Sequence, residues 1–148
     1  HNAFYRDPDH NLVGFHIEEA VYAPLYYGYG APGEYGDRVA LARAMDAEIV
    51  QHAPDTVLIL LRAGREVITQ RMRTAPHTRP VVKEADIDHV LARFEEEYRN
   101  SLIRKKFTLD TSDATIEQTL AEFAAQIKKH LSQADRLRVL AHQAWPST

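Results

Sequence analysis

The sequence predicts an α/β layer architecture, a parallel sheet flanked by helices, and three observations carry that expectation. Residues 56–62 (TVLILLR) form a near-continuous apolar run, the pattern of a strand buried on both faces. A second, shorter run at residues 105–111 (KKFTLDT) follows a long helical stretch. In that stretch Ile87, Val90, Leu91, Phe94, Tyr98 and Leu102 fall on one apolar stripe, opposite a mixed-charge face around Glu95, Glu96 and Arg99. Strands that alternate with helices pair in parallel. At 148 residues the chain is most simply one domain, 1–148, large enough to bury a core.

Taken in order, residues 1–10 are polar and irregular, and residues 11–17 (NLVGFHI) predict a short strand leading into a helix, EEAVYAPLYYG, which Pro24 should bend or end. Residues 28–36 (GYGAPGEYG) are a loop by their glycine and proline content. Asp37 is the expected N-cap of the next helix, where Leu41, Ala44, Met45, Glu48 and Ile49 recur at helical spacing and Glu48 is the exception on an apolar face. His52, Ala53 and Pro54 close it before the strong strand. A helix over 64–73 then breaks at 75–80, where two prolines stand. Beyond the second strand, Ile116, Leu120, Phe123, Ile127 and Leu131 mark a last helix, interrupted near 132–135. The tail, 133–148, has no placement in this scheme. Three strands make a thin sheet for so many helices, so something that completes the sheet is expected to be missing.

Composition narrows the function. A net charge of −3 gives no basic face for duplex DNA, so nucleic acid is not the default partner. With no cysteine, disulfides, thiolate metal sites and cysteine nucleophiles are excluded, which fits a cytoplasmic location. No apolar run approaches the ~20 residues of a membrane helix. The histidines show no HxxxH or HxH spacing, so no structural metal site is expected.

Three clusters could carry chemistry. Arg65, Arg71, Arg73 and Arg79 crowd the segment after the strong strand. Planar guanidinium groups on a mobile segment suit a transferring phosphoryl group, which they can clamp bidentately. Arg71 and Arg73, two apart, diverge on a regular helix, so sharing one ligand requires the helix to end there. The alternative is that these arginines are solvated and pair with Glu66, Glu84 or Glu95. Second, Glu18 and Tyr22 share a helix face that Tyr26 continues, and a carboxylate with phenols at a strand's end can fix a sugar hydroxyl or a base. The alternative is half-buried core or interface tyrosines, and His16 beside them is as readily structural as functional. Third, residues 111–115 (TSDAT) hand a strand over to a helix, where exposed N–H groups can meet an anion or a base. There Asp113 is the expected helix cap.

In order and spacing these segments resemble the P-loop nucleotide kinases of the thymidylate kinase and deoxynucleoside kinase group, over residues 11–127. HNLVGFHIEEAVYAPLYYG is similar to the strand and helix that line that family's acceptor site, and TVLILLRAGREVITQRMRTAPHTRP to its fourth strand and lid, about residues 64–83. EADIDHVLARFEEEYRNSL is similar to the helix after the lid, and KKFTLDTSDATIEQTLAEFAAQI to the last strand and helix, beside the adenine of ATP. The resemblance implies a P-loop NTPase-like sheet and transfer of the ATP γ-phosphoryl, with Mg²⁺, to a deoxynucleoside or nucleoside monophosphate of the thymidine or thymidylate kind. It implies that Arg71 and Arg73 are catalytic lid arginines and that Arg65 and Arg79 lie toward the nucleotide. Glu18, Tyr22, Tyr26 and His16 would face the acceptor, and Thr111, Ser112 and Asp113 would border the adenine.

Two departures stand out. Gly14-Phe15-His16 occupies the place of the family's Asp-Arg pair, and no GxxxxGK[ST] occurs, so the phosphate-loop lysine and the Mg²⁺-binding Ser/Thr are lacking. Loss of that loop would also remove the strand between the two visible ones, leaving buried edges unpaired. The chain is therefore expected to be part of a longer polypeptide, or to have the strand supplied by a fused domain or a partner. Tyr-rich helices near an exposed loop suit a homodimer. A kinase fold that binds a nucleotide or a protein without catalysis is the rival from another class. A kinase acting on a modified base in DNA, as in some viral relatives of the family, is a third reading.

Overall fold

The computed structural model describes residues 10–76, 78 and 80–144, apart from the His142 side chain. The first described element is a helix, α1 (Phe15–Tyr22), where a strand over 11–17 is expected. Gly14 (φ 78°) and Phe15 (φ 48°) both have positive φ, which breaks a strand, and residues 11–15 are all exposed, so burial begins only with His16 and Ile17 of the helix. α1 runs into a π-helical segment, Ala23–Tyr27, in which Pro24 sits at the start, as the sequence predicts for a helix distorted there. Gly28 ends it in the left-handed conformation that closes helices.

α2 (Arg38–His52) begins at Asp37, the expected cap, whose carboxylate accepts the Ala40 N–H at 2.9 Å. Its buried face is not the expected one. Ala42 and Asp46 are turned in, while Leu41, Met45 and Glu48 are exposed, a rotation of about 100°, one residue's step round the helix. The reason is that Asp46 finds partners inside and Glu48 does not.

β1 (Leu58–Arg62) follows, then α3 (Arg65–Thr74), a 3₁₀ turn (Glu84–Asp86), α4 (Ile87–Asn100) and β2 (Lys106–Asp110). β1 and β2 pair in parallel from Leu58↔Lys106 to Arg62↔Asp110, with α3 and α4 as the crossover that a parallel pair requires. Among the described residues the sheet has these two strands, not three. They are direct neighbours, so no strand is missing between them, and any further strand can add only at an outer edge.

The core lies where α1, α2 and α4 meet: Ile17, Ala20, Val21, Ala42, Ile87 and Val90 are buried there. Burial of a side chain such as Ile87 contributes roughly 1.5–3 kcal/mol. Leu102, expected on the α4 stripe, lies past the helix end and is exposed, and the buried stripe is completed by Glu97. On the sheet, Phe107 packs against Phe123 of α5 (Ile116–Ile127) and stacks on His130, while Ile116 and Leu120 of the expected stripe stay exposed. The cap of α5 is Thr115, not Asp113: Thr115 and Gln118 form a reciprocal capping box. The unplaced tail is in part a helix, α6 (Gln133–Ala144). No described helix is long and apolar enough to cross a membrane.

Candidate functional site

The C-terminal ends of β1 and β2, where parallel sheets offer ligand sites, are joined by a compact set of hydrogen bonds. The Thr111 N–H and hydroxyl both donate to the Arg62 carbonyl, at 2.8 and 3.0 Å. The Gly64 N–H, just before α3, donates to Ser112 Oγ at 2.9 Å. Ser112 N–H in turn donates to Asp110 at 2.8 Å, and these Ser112 bonds hold the Asp110 carboxyl below its usual range. The two strand-to-helix turns thus form one rigid ledge.

Arg71 reaches that ledge from the last turn of α3. Its guanidinium donates to Thr111 Oγ1 (3.0 Å) and to the Thr111 carbonyl (2.5 Å). The resemblance would put Arg71 in a lid and Thr111 beside an adenine; the structure brings the two side chains into contact. Arg73 goes elsewhere, as a spacing of two dictates, and forks onto Glu84 with Nη2–Oε1 at 2.5 Å and Nε–Oε2 at 3.2 Å. Arg71 and Arg73 therefore do not converge on one point. Arg65 pairs with Asp88, and Arg62 at the strand end pairs with Glu95. Of the three acids the sequence offers as partners of the clustered arginines, Glu84 takes Arg73, whereas Glu95 takes Arg62 of the strand and Glu66 lines a groove. Of the four arginines of β1 and α3, Arg71 has no carboxylate partner among the described residues. Arg79 lies outside the described residues, and Asp113 is exposed.

An open groove of about 520 Å³ runs along α3, lined by Arg65, Glu66, Thr69, Gln70, Arg73, Thr74 and Glu84. The 3₁₀ turn beside it links the arginine segment to the tyrosine cluster. Tyr26 donates its hydroxyl to Asp86 (3.1 Å) and accepts the Lys83 N–H (3.3 Å). Tyr22 packs edge-on against Phe94 with centroids 5.5 Å apart and lies 6.0 Å from the Tyr26 ring. Burial, then the nearby Glu18 charge, pushes the Tyr22 phenol up, and burial does the same to Tyr26. Tyr22 is thus half-buried packing and Tyr26 a tether, while Glu18 is exposed.

His16 is separate from both. It is buried, and its Nε2–H donates to Asp46 at 2.6 Å, while Nδ1 has no partner among the described residues. Asp46 also accepts the Leu102 N–H at 2.9 Å, and Arg43 donates to Glu97 at 2.6 Å, which takes Arg93 as well at 2.8 Å. This group, which ties α1, α2 and α4 together, is absent from the sequence reading. Its only sequence trace is the helical spacing of Arg43 with Asp46 and of Arg93 with Glu97.

Glu84 and Asp88 pair with arginines and Asp110 with Ser112, and no group of three metal-ligating side chains forms among the described residues, so no step is assigned to the Mg²⁺ that the resemblance implies. Compared with known protein families, curated proteins and solved structures, the chain matches none.

Proposed function

We propose that the ledge at the ends of β1 and β2 binds the phosphates of a nucleotide, as part of a phosphotransferase that moves the ATP γ-phosphoryl to a deoxynucleoside or nucleoside monophosphate. One observation carries this reading: Arg71 is a forked cation, exposed, seated at the C-terminal edge of a parallel pair and not neutralised by any described carboxylate. Anchoring on Thr111 holds the guanidinium in place and leaves it charged. Such a group can neutralise the oxygens of a phosphate chain without reorganising. Thr111 and Ser112 then border the base or sugar of the donor, and the exposed Glu18 faces the acceptor.

The reading needs a phosphate cradle from outside these 148 residues, because no GxxxxGK[ST] occurs in them. The binding-only alternative draws on a different observation. Arg65 and Arg73, which a transfer reaction would employ, are already occupied by Asp88 and Glu84.

Equilibrium titration with ATP, followed by an ATP-dependent assay on a panel of nucleosides and their monophosphates, separates the two. Arg71→Ala is expected to weaken ATP at least about tenfold, the range for a hydrogen bond to a charged group. Equal affinity in wild type and variant would remove the ledge from consideration. ATP binding without turnover of any acceptor would favour the binding protein.

A further inference from the structure

The arginines of β1 and α3 meet their acids in a row. Arg73 meets Glu84, Arg65 meets Asp88 and Arg62 meets Glu95, and all three acids come from the 3₁₀ turn and α4. The first pair differs from the others in lining the groove with both of its partners. Glu84 presents two oxygens to two nitrogens of one guanidinium, the same edge that a phosphate presents.

We infer that Glu84 is an internal competitor for anions, a carboxylate latch that occupies Arg73 until a phosphate chain displaces it. This inference rests on the reading of the ledge as a phosphate site and adds a second anion contact in the neighbouring groove, on the same helix but apart from Arg71. Glu84 covers the Nε–Nη2 edge of Arg73 and neutralises its charge, so an anion that needs that edge and that charge must displace the carboxylate. The pair is exposed, 68 % for the Arg73 side chain and 47 % for Glu84, so exchange meets water rather than a closed interior. The groove gives the incoming anion room. When Arg73 lets go, the turn that carries Glu84 stays in place, because Tyr26 holds it through Asp86 and the Lys83 N–H. The Arg73 side chain is the part free to swing, being the more exposed of the pair. The latch thereby discriminates by charge. A triphosphate can outcompete one carboxylate, whereas a singly charged anion gains little by doing so.

The test is binding of inorganic tripolyphosphate, measured by calorimetry on wild type, Glu84→Gln, Arg73→Ala, the double variant of these two and Arg71→Ala, with folding checked by circular dichroism. Glu84→Gln is expected to bind about two- to fivefold more tightly, the strength of one exposed pair removed. The gain should vanish when Arg73→Ala is added. An equal gain in the Arg73→Ala background would show a general charge effect and overturn the latch. Unchanged affinity in Glu84→Gln, with Arg71→Ala still weakening the anion, would overturn the latch and leave the ledge standing. No binding by wild type or by any variant would overturn both.

Discussion

The chain uses arginine–carboxylate pairs in two places with opposite consequences. Where α1, α2 and α4 meet, Asp46 is 0 % and Glu97 1 % exposed, and each takes several donors. Along α3, each acid takes one arginine and stands in water. Burial decides what the same chemistry does. An ion removed from water must have its hydrogen bonds satisfied at every moment, so the interior group fixes geometry. A solvated pair gains little and exchanges freely, so the exterior row can serve a ligand.

The largest expected effect follows from the interior side of that contrast. Asp46→Ala leaves Arg43 short of charge, His16 without its carboxylate and the Leu102 N–H without an acceptor. Breaking a buried pair from one side costs about 3–5 kcal/mol, and urea unfolding should show it. A loss below about 1 kcal/mol would mean that the interior cluster relaxes with water and that the contrast is one of degree. The exterior side predicts the reverse. Glu95→Gln, which frees Arg62, should change stability by less than about 1 kcal/mol, because both side chains of the pair remain substantially exposed. A drop as large as that of Asp46→Ala would make the arginine row structural and argue against an exchangeable Arg73.

The sequence shows one of these regions better than the other. The apolar run, the arginines and the second strand lie close along the chain, and the parallel pair with its helical crossover is legible from them. So are the Asp37 cap, the end of α3 before the prolines, and Glu84 as a partner of the arginine segment, because the residues involved are near in sequence or follow local rules. The interior cluster is long-range: the partners of Asp46 lie 30 and 56 residues away. Helical periodicity names the apolar positions of α2 but cannot rank Glu48 against Asp46, since only the folded neighbours decide which acid can be buried. The expected strand over 11–17 fails for a similar reason. Its apolar residues suggest β structure, but the positive φ of Gly14 and Phe15 turns the chain into α1. Which helix packs on which was beyond the pattern, and with it the role of His16.

The smallest effect concerns a third setting, intermediate between the two. At the start of α6, Asp135 accepts the Ser132 hydroxyl (2.7 Å) and N–H (2.9 Å), and it pairs with Arg138. Ser132 Oγ in turn accepts the Asp135 N–H at 3.1 Å, which completes a capping box. These bonds, the Ser132 hydroxyl first, hold the carboxyl at about 2. A carboxyl depressed in the fold contributes its stability above the unfolded value of about 4 and loses it as pH falls from there toward 2. Between about pH 5 and 2, therefore, α6 should fray from its N-terminus, which chemical shifts of residues 132–138 would follow in wild type and in Ser132→Ala. The variant should titrate closer to 4 and fray earlier. Identical curves for the two proteins would mean that Arg138, rather than the serine, sets this end of the helix. That would make Asp135 a member of the exterior class, governed by its arginine, instead of a cap held by hydrogen bonds.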